Sequence, residues 1–260
     1  MKKLLVLILL FFLMLIFSAC EANQLVAPDQ ETLTHDVEQN GLALQATIKV
    51  GKDINVDASI TNTSSETIIY NGRCGIPFRI SVQKEDAHAN LVPRNRKGGG
   101  CTDVFDPDDL REMKPNETFD KKITFKREVS LTNKRTVPAL NGEYKVFFSF
   151  EMHEKERFLS SLPIKLTNNK ETEIMTVDQA KKMAKTNKEV KRWFDEHEKQ
   201  DMPIESEDAI LSEGMWTVAF HAIYQDGANR IVINMNAETG EVKAIHYEEV
   251  GKDVLGFLKD

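Results

Sequence analysis

The chain has 260 residues, of which 41% are hydrophobic and 29% charged, as in ordinary globular proteins. Its formal net charge of -7 argues against a general nucleic-acid binder, because such proteins need a basic face to displace phosphate counterions. Thirteen glycines and eight prolines exclude a collagen-like chain. The length is enough for two small domains.

The first 19 residues have the pattern of a secretory signal peptide. Two lysines precede an uninterrupted apolar run from Leu4 to Phe17, and the small residues Ser18 and Ala19 follow it. As a helix this run spans about 21 Å, less than the ~30 Å core of a bilayer. We therefore expect residues 1–19 to be a cleaved signal, with an uncleaved N-terminal anchor as the alternative.

The end of this segment, Ile16-Phe17-Ser18-Ala19-Cys20, resembles the lipobox of bacterial lipoproteins, with Phe17 in place of the usual Leu. The resemblance implies that Cys20 carries a diacylglycerol and becomes the first residue after cleavage. Two acyl chains are enough for stable anchoring. We expect residues 20–34 to be a lipidated cysteine and polar tether on the extracytoplasmic face of the cell membrane. Cleavage removes two lysines, so the net charge changes from -7 to -9.

Period-two alternation of apolar and polar residues dominates the next part of the chain. It is clearest in Leu42–Val50 and Ile54–Ile60, where one face is apolar and the other polar. Such alternation is typical of half-buried strands in antiparallel sheets. Further candidate strands are Ile68–Tyr70, Phe78–Val82, Thr118–Phe125, Glu143–Phe150 and Leu159–Leu166. The pattern predicts an all-β sandwich over residues 35–168.

Three short segments resemble immunoglobulin-like and BsuPI-type (intracellular proteinase inhibitor) domains. They are Leu140–Tyr144, Met113–Glu117 and Ile60–Ser64. The resemblance implies an immunoglobulin-like version of the sandwich. In that version the Tyr144 hydroxyl binds an earlier loop.

The two remaining cysteines, Cys74 and Cys101, lie in glycine-bearing loops of a chain predicted to be exported. We expect them to form a disulfide, which would stabilise the fold by about 3–4 kcal/mol in the chain-entropy model. Free thiols are the alternative. A redox or metal role is disfavoured because there is no Cys-x-x-Cys, and His88 lacks the spacing of a metal ligand.

Residues Pro93–Asp109 form a distinctive loop that is first basic, then glycine-rich from Gly98 to Gly100, then acidic. We consider three interpretations: a plain connection, which is favoured, a recognition loop, and a calcium site. The acidic residues fit no EF-hand spacing. Their Asp-Pro-Asp-Asp segment is equally a turn and helix start.

The periodicity changes after residue 170, which predicts a second domain over residues 170–260. Thr176 and Gln179 fit a capping box, and apolar residues recur at helical spacing up to about Gln200. Three predicted strands follow, at Trp216–Tyr224, Arg230–Met235 and Val242–Tyr247. We expect a small α+β domain, one helix with an antiparallel sheet.

This order resembles the PepSY family. The matching segments are Thr176–Ala180, Trp216–Phe220 and Ile233–Val242, the last containing Asn-Ala-Glu-Thr-Gly-Glu. The resemblance implies a non-catalytic domain associated with modulation of peptidases.

Residues 171–260 hold 11 Lys and Arg against 19 Asp and Glu. This excess favours basic partners, or simply solubility. No catalytic or cofactor-binding motif is present, and we expect His221 to lie at the surface or at a sheet edge. We therefore predict no enzyme activity, no metal and no cofactor.

Together these patterns predict a membrane-anchored, protein-binding lipoprotein that modulates or inhibits a protease. A structural role in assembling an envelope complex and an unrecognised ligand carrier are the alternatives. We expect the partners to be the membrane, through Cys20, and an unidentified protein, with no nucleic acid.

Overall fold

The computed structural model of the chain describes residues 31–95, 106–131, 135–206 and 209–251. Within these ranges the fold is mostly antiparallel β-sheet, with sixteen strands and only two short α-helices. None of these described helices is long and apolar enough to cross a membrane.

The largest sheet has six strands in the order β1-β2-β3-β8-β6, with β9 also paired to β8. Their bounds are β1 Glu31–Gln39, β2 Leu42–Val50, β3 Asp53–Asn62, β6 Leu91–Pro93, β8 Thr118–Ser130 and β9 Thr136–Pro138. Alternate side chains of β2 and β3 are buried, as the period-two pattern predicts. Residues 31–34, which the sequence analysis assigned to the tether, are instead the start of β1. Glu31, Thr32 and Thr34 are polar, as suits an edge strand, whereas Leu33 packs against the core. The backbone pairs with β2 from Glu31 onward.

Five more strands form two smaller sheets. One sheet has the order β11-β10-β5, with bounds β5 Phe78–Lys84, β10 Gly142–Phe150 and β11 Phe158–Leu166. The other pairs β4 (Ile68–Asn71) with β7 (Leu110–Met113). Tyr144, Val146, Phe148 and Phe150 are fully buried along β10. They belong to the same core cluster as the inward residues of β2 and β3, so the sheets pack through one apolar interior.

Two of the segments that resemble immunoglobulin-like domains meet at Asn62. This side chain is completely buried, donates 3.0 Å to the Met113 carbonyl and accepts 3.0 Å from the Ser64 amide. The Asn116 amide donates to the Asn62 carbonyl, and Asn116 itself adopts a positive φ of 63°. Asn62 therefore connects the end of β3 to the turn that follows β7.

The last part of the chain forms a five-stranded sheet in the order β12-β14-β15-β16, with β13 paired to β14. The elements are α1 Val177–Ala184, α2 Lys188–Glu198, β12 Ile204–Ser206, β13 Ile210–Ser212, β14 Met215–Tyr224, β15 Gly227–Asn236 and β16 Val242–Gly251. Phe194 of α2 packs edge-on against Phe220 of β14, with ring centroids 5.1 Å apart.

The single helix predicted from Thr176 to about Gln200 is wrong, because the chain forms two helices there. Thr176 caps α1 in a capping box, as expected. The helix ends at Ala184, and the Asn187 side chain then accepts a hydrogen bond from the Glu189 amide and caps α2. Apolar residues keep a helical spacing across this break because both helices bury side chains. Spacing alone does not show that one helix ends and a second, newly capped helix begins.

The surface or edge location expected for His221 is also wrong. His221 is only 4% exposed and lies in β14, between Glu205 of β12 and Arg230 of β15. Five consecutive residues, Val218 to Ala222, are buried, so both faces of this strand segment are covered. Alternation identifies the face on which a side chain lies, but it does not reveal whether that face is covered.

Several contacts join the residues before and after position 170. The Leu211 amide donates 2.8 Å to the carbonyl of Ala87, and both residues are buried. Arg135 forms ion pairs with Glu238 and, at 3.5 Å, with Glu173. These contacts attach the β12–β16 sheet to the loops that follow β5 and β8.

Candidate protein-binding site

Two of the three cysteines singled out in the sequence lie outside the described part of the chain. Cys20 and Cys101 both do, so the lipid anchor and the Cys74–Cys101 bridge stay predictions. Cys74 itself follows β4 in an exposed turn.

Only the two ends of the Pro93–Asp109 loop are described. Pro93 ends β6, and Arg94 forms an ion pair with Asp53. At the other end Asp106 caps a short 3-10 helix, Pro107–Asp109. Among the described residues, no three acidic, histidine or cysteine side chains are grouped so that they could hold a metal ion. The central part of the loop, residues 96–105, lies outside the described ranges, and the three interpretations of the loop stay predictions.

The three segments that resemble PepSY domains come together in space. The Met175 amide, directly before the capping residue of α1, donates 2.9 Å to the Ala237 carbonyl. The Trp216 indole Nε1 donates 3.2 Å to the Met175 carbonyl. Met175 therefore joins the start of α1, the start of β14 and the end of β15.

Local hydrogen bonds and backbone geometry explain the sequence of the turn between β15 and β16. The Asn236 side-chain oxygen accepts hydrogen bonds from the Glu238 and Thr239 amides, both at 2.9 Å. Gly240 adopts a φ of +72°, which favours glycine. A Cβ at this position would lie 2.7 Å from Cγ of Met183. The turn motif thus packs directly against α1.

An open groove of about 450 Å³ lies beside this meeting point, and we call it the linker groove. It is lined by residues 172–175, by Gln179, Lys182 and Met183 of α1, and by Thr186, which follows that helix. Ile174 is buried, Met175 is half-buried, and the Met183 side chain is 39% exposed. Ile174, Met175 and Met183 form the apolar part of a lining that otherwise contains polar and charged residues. A flexible methionine at the surface of this apolar part can accept an apolar side chain from another protein.

Charged groups stand at one end of the linker groove. Glu173 lines it and pairs with Arg135, which also pairs with Glu238 of the β15–β16 turn. The Arg135 guanidinium lowers the pKa of the Glu238 carboxyl, mainly through a direct hydrogen bond. The carboxylate in turn raises the pKa of Arg135. Residues from both halves of the chain therefore meet at this end of the groove.

His197 is a buried histidine of α2 that no sequence motif indicates. The His197 ring donates from Nδ1 to the Trp193 carbonyl at 2.7 Å, because a carbonyl can only accept. Its Nε2 is 3.1 Å from the Asn229 amide nitrogen and accepts from it. The Nδ1 bond lies within α2 and orients the ring, and the Nε2 bond joins α2 to β15. Asn229 is 32 residues from His197 in the chain, and no sequence pattern connects the two. The sequence therefore does not reveal this contact.

The chain matches none of the protein-family models with which it was compared, and no curated protein matches it.

Proposed function

We propose that this protein is a bacterial lipoprotein held by Cys20 at the extracytoplasmic face of the cell membrane. Its folded residues would form a non-catalytic protein-binding module that restrains a protease. The lipobox resemblance at Phe17–Cys20 supports the anchor. The BsuPI-type and PepSY resemblances support the protease, since both families are associated with proteinase control.

The observation that carries the proposal of protein binding is the linker groove. The apolar part of its lining and the exposed Met183 fit an apolar side chain on a loop of the partner. The acidic excess of residues 171–260 favours a partner whose contacting surface is basic. The occupant we propose is therefore an apolar residue flanked by basic ones on the protease.

We further propose that residues 35–168 form an immunoglobulin-like sandwich and residues 170–260 a PepSY-like α+β domain. The buried Tyr144 hydroxyl supports the first assignment, because it donates 2.6 Å to the Leu140 carbonyl as the resemblance implies. The convergence of the three PepSY-like segments at Met175 supports the second.

Titration of secreted proteases with the chain from residue 21 tests the function. We expect residual activity to fall to near zero at an equimolar ratio, without degradation of the protein. Met183→Glu should weaken inhibition by about tenfold or more, because it introduces a charge into the apolar part of the groove. The matched control is Leu159→Glu, which changes a residue of similar exposure, 45%, on strand β11. The thermal stability of both variants is measured alongside.

Absence of inhibition across a broad protease panel would reject the protease proposal. Stable co-purification with envelope proteins after cross-linking in intact cells would then support the assembly role. Equal loss of inhibition in Met183→Glu and Leu159→Glu would reject the linker groove as the binding site.

The anchor is tested separately in cells by metabolic labelling with a fatty-acid analogue. We expect the intact chain to be labelled and found in the membrane fraction. Cys20→Ser should abolish the label, whereas Cys74→Ser should retain it. Labelling that persists in Cys20→Ser would reject lipidation at this residue.

A further inference from the structure

A second groove, of about 560 Å³, lies on the outer face of the six-stranded sheet. Its polar lining includes Thr47, Lys49, Asn55, Asn95, Lys122 and Thr124. We call it the basic groove. It is formed by strands β2, β3 and β8 and by the first residues after β6, and none of the functional predictions above uses it.

The charge of the basic groove is positive, whereas the chain as a whole is acidic. Asp57 also lines it, but the Lys122 ammonium lies 2.5 Å from this carboxylate and compensates its charge. Lys122 remains 77% exposed. Lys49 is exposed as well and forms no ion pair with another described residue. Lys121 also lines the groove, but its ammonium donates to the Phe78 carbonyl. The lining therefore holds three lysines against one carboxylate, and Lys49 and Lys122 supply its exposed ammonium groups.

Hydrogen-bond donors complete this lining. The Thr124 hydroxyl lies 2.8 Å from the Asn55 side-chain oxygen and donates to it, so the Asn55 amide nitrogen stays available as a donor. Lysine ammonium groups and amide nitrogens only donate. A ligand that only accepts hydrogen bonds and carries negative charge fits this set, and phosphate oxygens have both properties.

The position of the basic groove relative to the tether identifies the source of the phosphate. Lys49 pairs across the sheet with Thr32, one residue after the start of β1 at Glu31. Only residues 21–30 separate Glu31 from Cys20, and ten residues span at most about 36 Å when fully extended. If Cys20 is lipidated, as proposed above, the groove lies within this reach of the membrane surface.

We propose that the basic groove binds the phosphate groups of anionic phospholipids at the membrane surface. The sandwich face that carries Lys49 and Lys122 would then rest on the headgroups, and the acidic residues 171–260 would supply the surface for a protein partner. This inference rests on the proposed anchor at Cys20. Its physical basis is the attraction of a local cationic surface to an anionic leaflet.

The test is sedimentation with vesicles of phosphatidylcholine, with and without phosphatidylglycerol, at low salt. The protein is the chain from residue 20 carrying Cys20→Ser, which retains every described residue and has no lipid of its own. We expect binding only to vesicles that contain phosphatidylglycerol, with affinity falling as salt is added. Lys49→Glu combined with Lys122→Glu should lower that affinity by about tenfold or more.

The matched control is Lys145→Glu combined with Lys165→Glu, which makes the same charge change on strands β10 and β11. It should retain most of the binding. Equal loss in both double variants, or no dependence on phosphatidylglycerol, would overturn the proposal. Groove-dependent binding of soluble polyphosphate without vesicle binding would also overturn it. Because the protein tested carries no lipid, these outcomes are independent of the labelling experiment on Cys20.

Discussion

Gly240 lies where the turn between β15 and β16 packs against α1. Its φ of +72° and the 2.7 Å distance from an added Cβ to Met183 both disfavour any other residue. We expect Gly240→Ala to lower the free energy of unfolding by about 1–2 kcal/mol. Chemical denaturation measures this. The control is Gly251→Ala, where an added Cβ meets nothing within 4 Å, and an equal loss in both variants would contradict the explanation.

His35 gives the stability of the first region, residues 35–168, a predictable dependence on pH. It stacks on Phe148 with ring centroids 5.8 Å apart, and its Nε2 is 2.6 Å from the Ser160 hydroxyl oxygen. Burial lowers the pKa of His35 from 6.5, although Asp36 opposes the shift. The folded protein therefore favours neutral His35. As the pH falls below 6.5, the unfolded state is protonated first and stability decreases until the lower folded pKa is passed.

We expect unfolding experiments at a series of pH values between 7.5 and 5 to show this loss. His35→Phe keeps the ring stacking and removes the titration, so its stability should fall less over the same range. His246→Gln changes an exposed histidine of β16 and should behave like the unmodified chain. Identical pH profiles for all three proteins would exclude His35 as the cause.

At the scale of elements, the best-defined connection is between β10 and the corner that precedes it. Burial raises the pKa of Tyr144 far above its usual value, so its hydroxyl stays protonated and donates to Leu140. Tyr144→Phe should lower the free energy of unfolding by about 1–2 kcal/mol, because a buried hydrogen bond is lost. The control, Tyr224→Phe, removes a hydroxyl at an exposed position and should change little. Thermal or urea unfolding distinguishes the two.

At the scale of the whole molecule, the contacts across residue 170 predict that both regions unfold together. The buried hydrogen bond between Leu211 and Ala87 and the shared apolar cluster would be broken if either region opened alone. Both tryptophans, Trp193 and Trp216, lie in the second region. Their fluorescence should therefore change at the same urea concentration as the circular dichroism of the whole chain.

A substitution in the first region sharpens this test. Val146→Ala creates a cavity in β10, far from both tryptophans in sequence, and should lower stability by about 1–3 kcal/mol. If the regions are coupled, the urea midpoint of the tryptophan fluorescence shifts by the same amount as the midpoint of the circular dichroism. An unchanged tryptophan midpoint would show that the second region unfolds independently.

The sequence by itself determined most strands of the first region, the capping box at Thr176 and the turn at Asn236–Glu241. These features depend on neighbouring residues, through alternation, caps and turn geometry, so they are visible in a short window. It also located the inward face of β10, because Tyr144, Val146, Phe148 and Phe150 alternate without interruption.

Tertiary structure alone decided the burial of His221 and the two grooves. Each depends on which surface covers another, and residues far apart in the chain supply that surface. The linker groove includes Met175, which hydrogen-bonds to both Ala237 and Trp216. The basic groove forms because pairing of β2, β3 and β8 brings Lys49 and Lys122 to one face. Such long-range pairing leaves no periodic signal in the sequence, which is why neither groove was predicted.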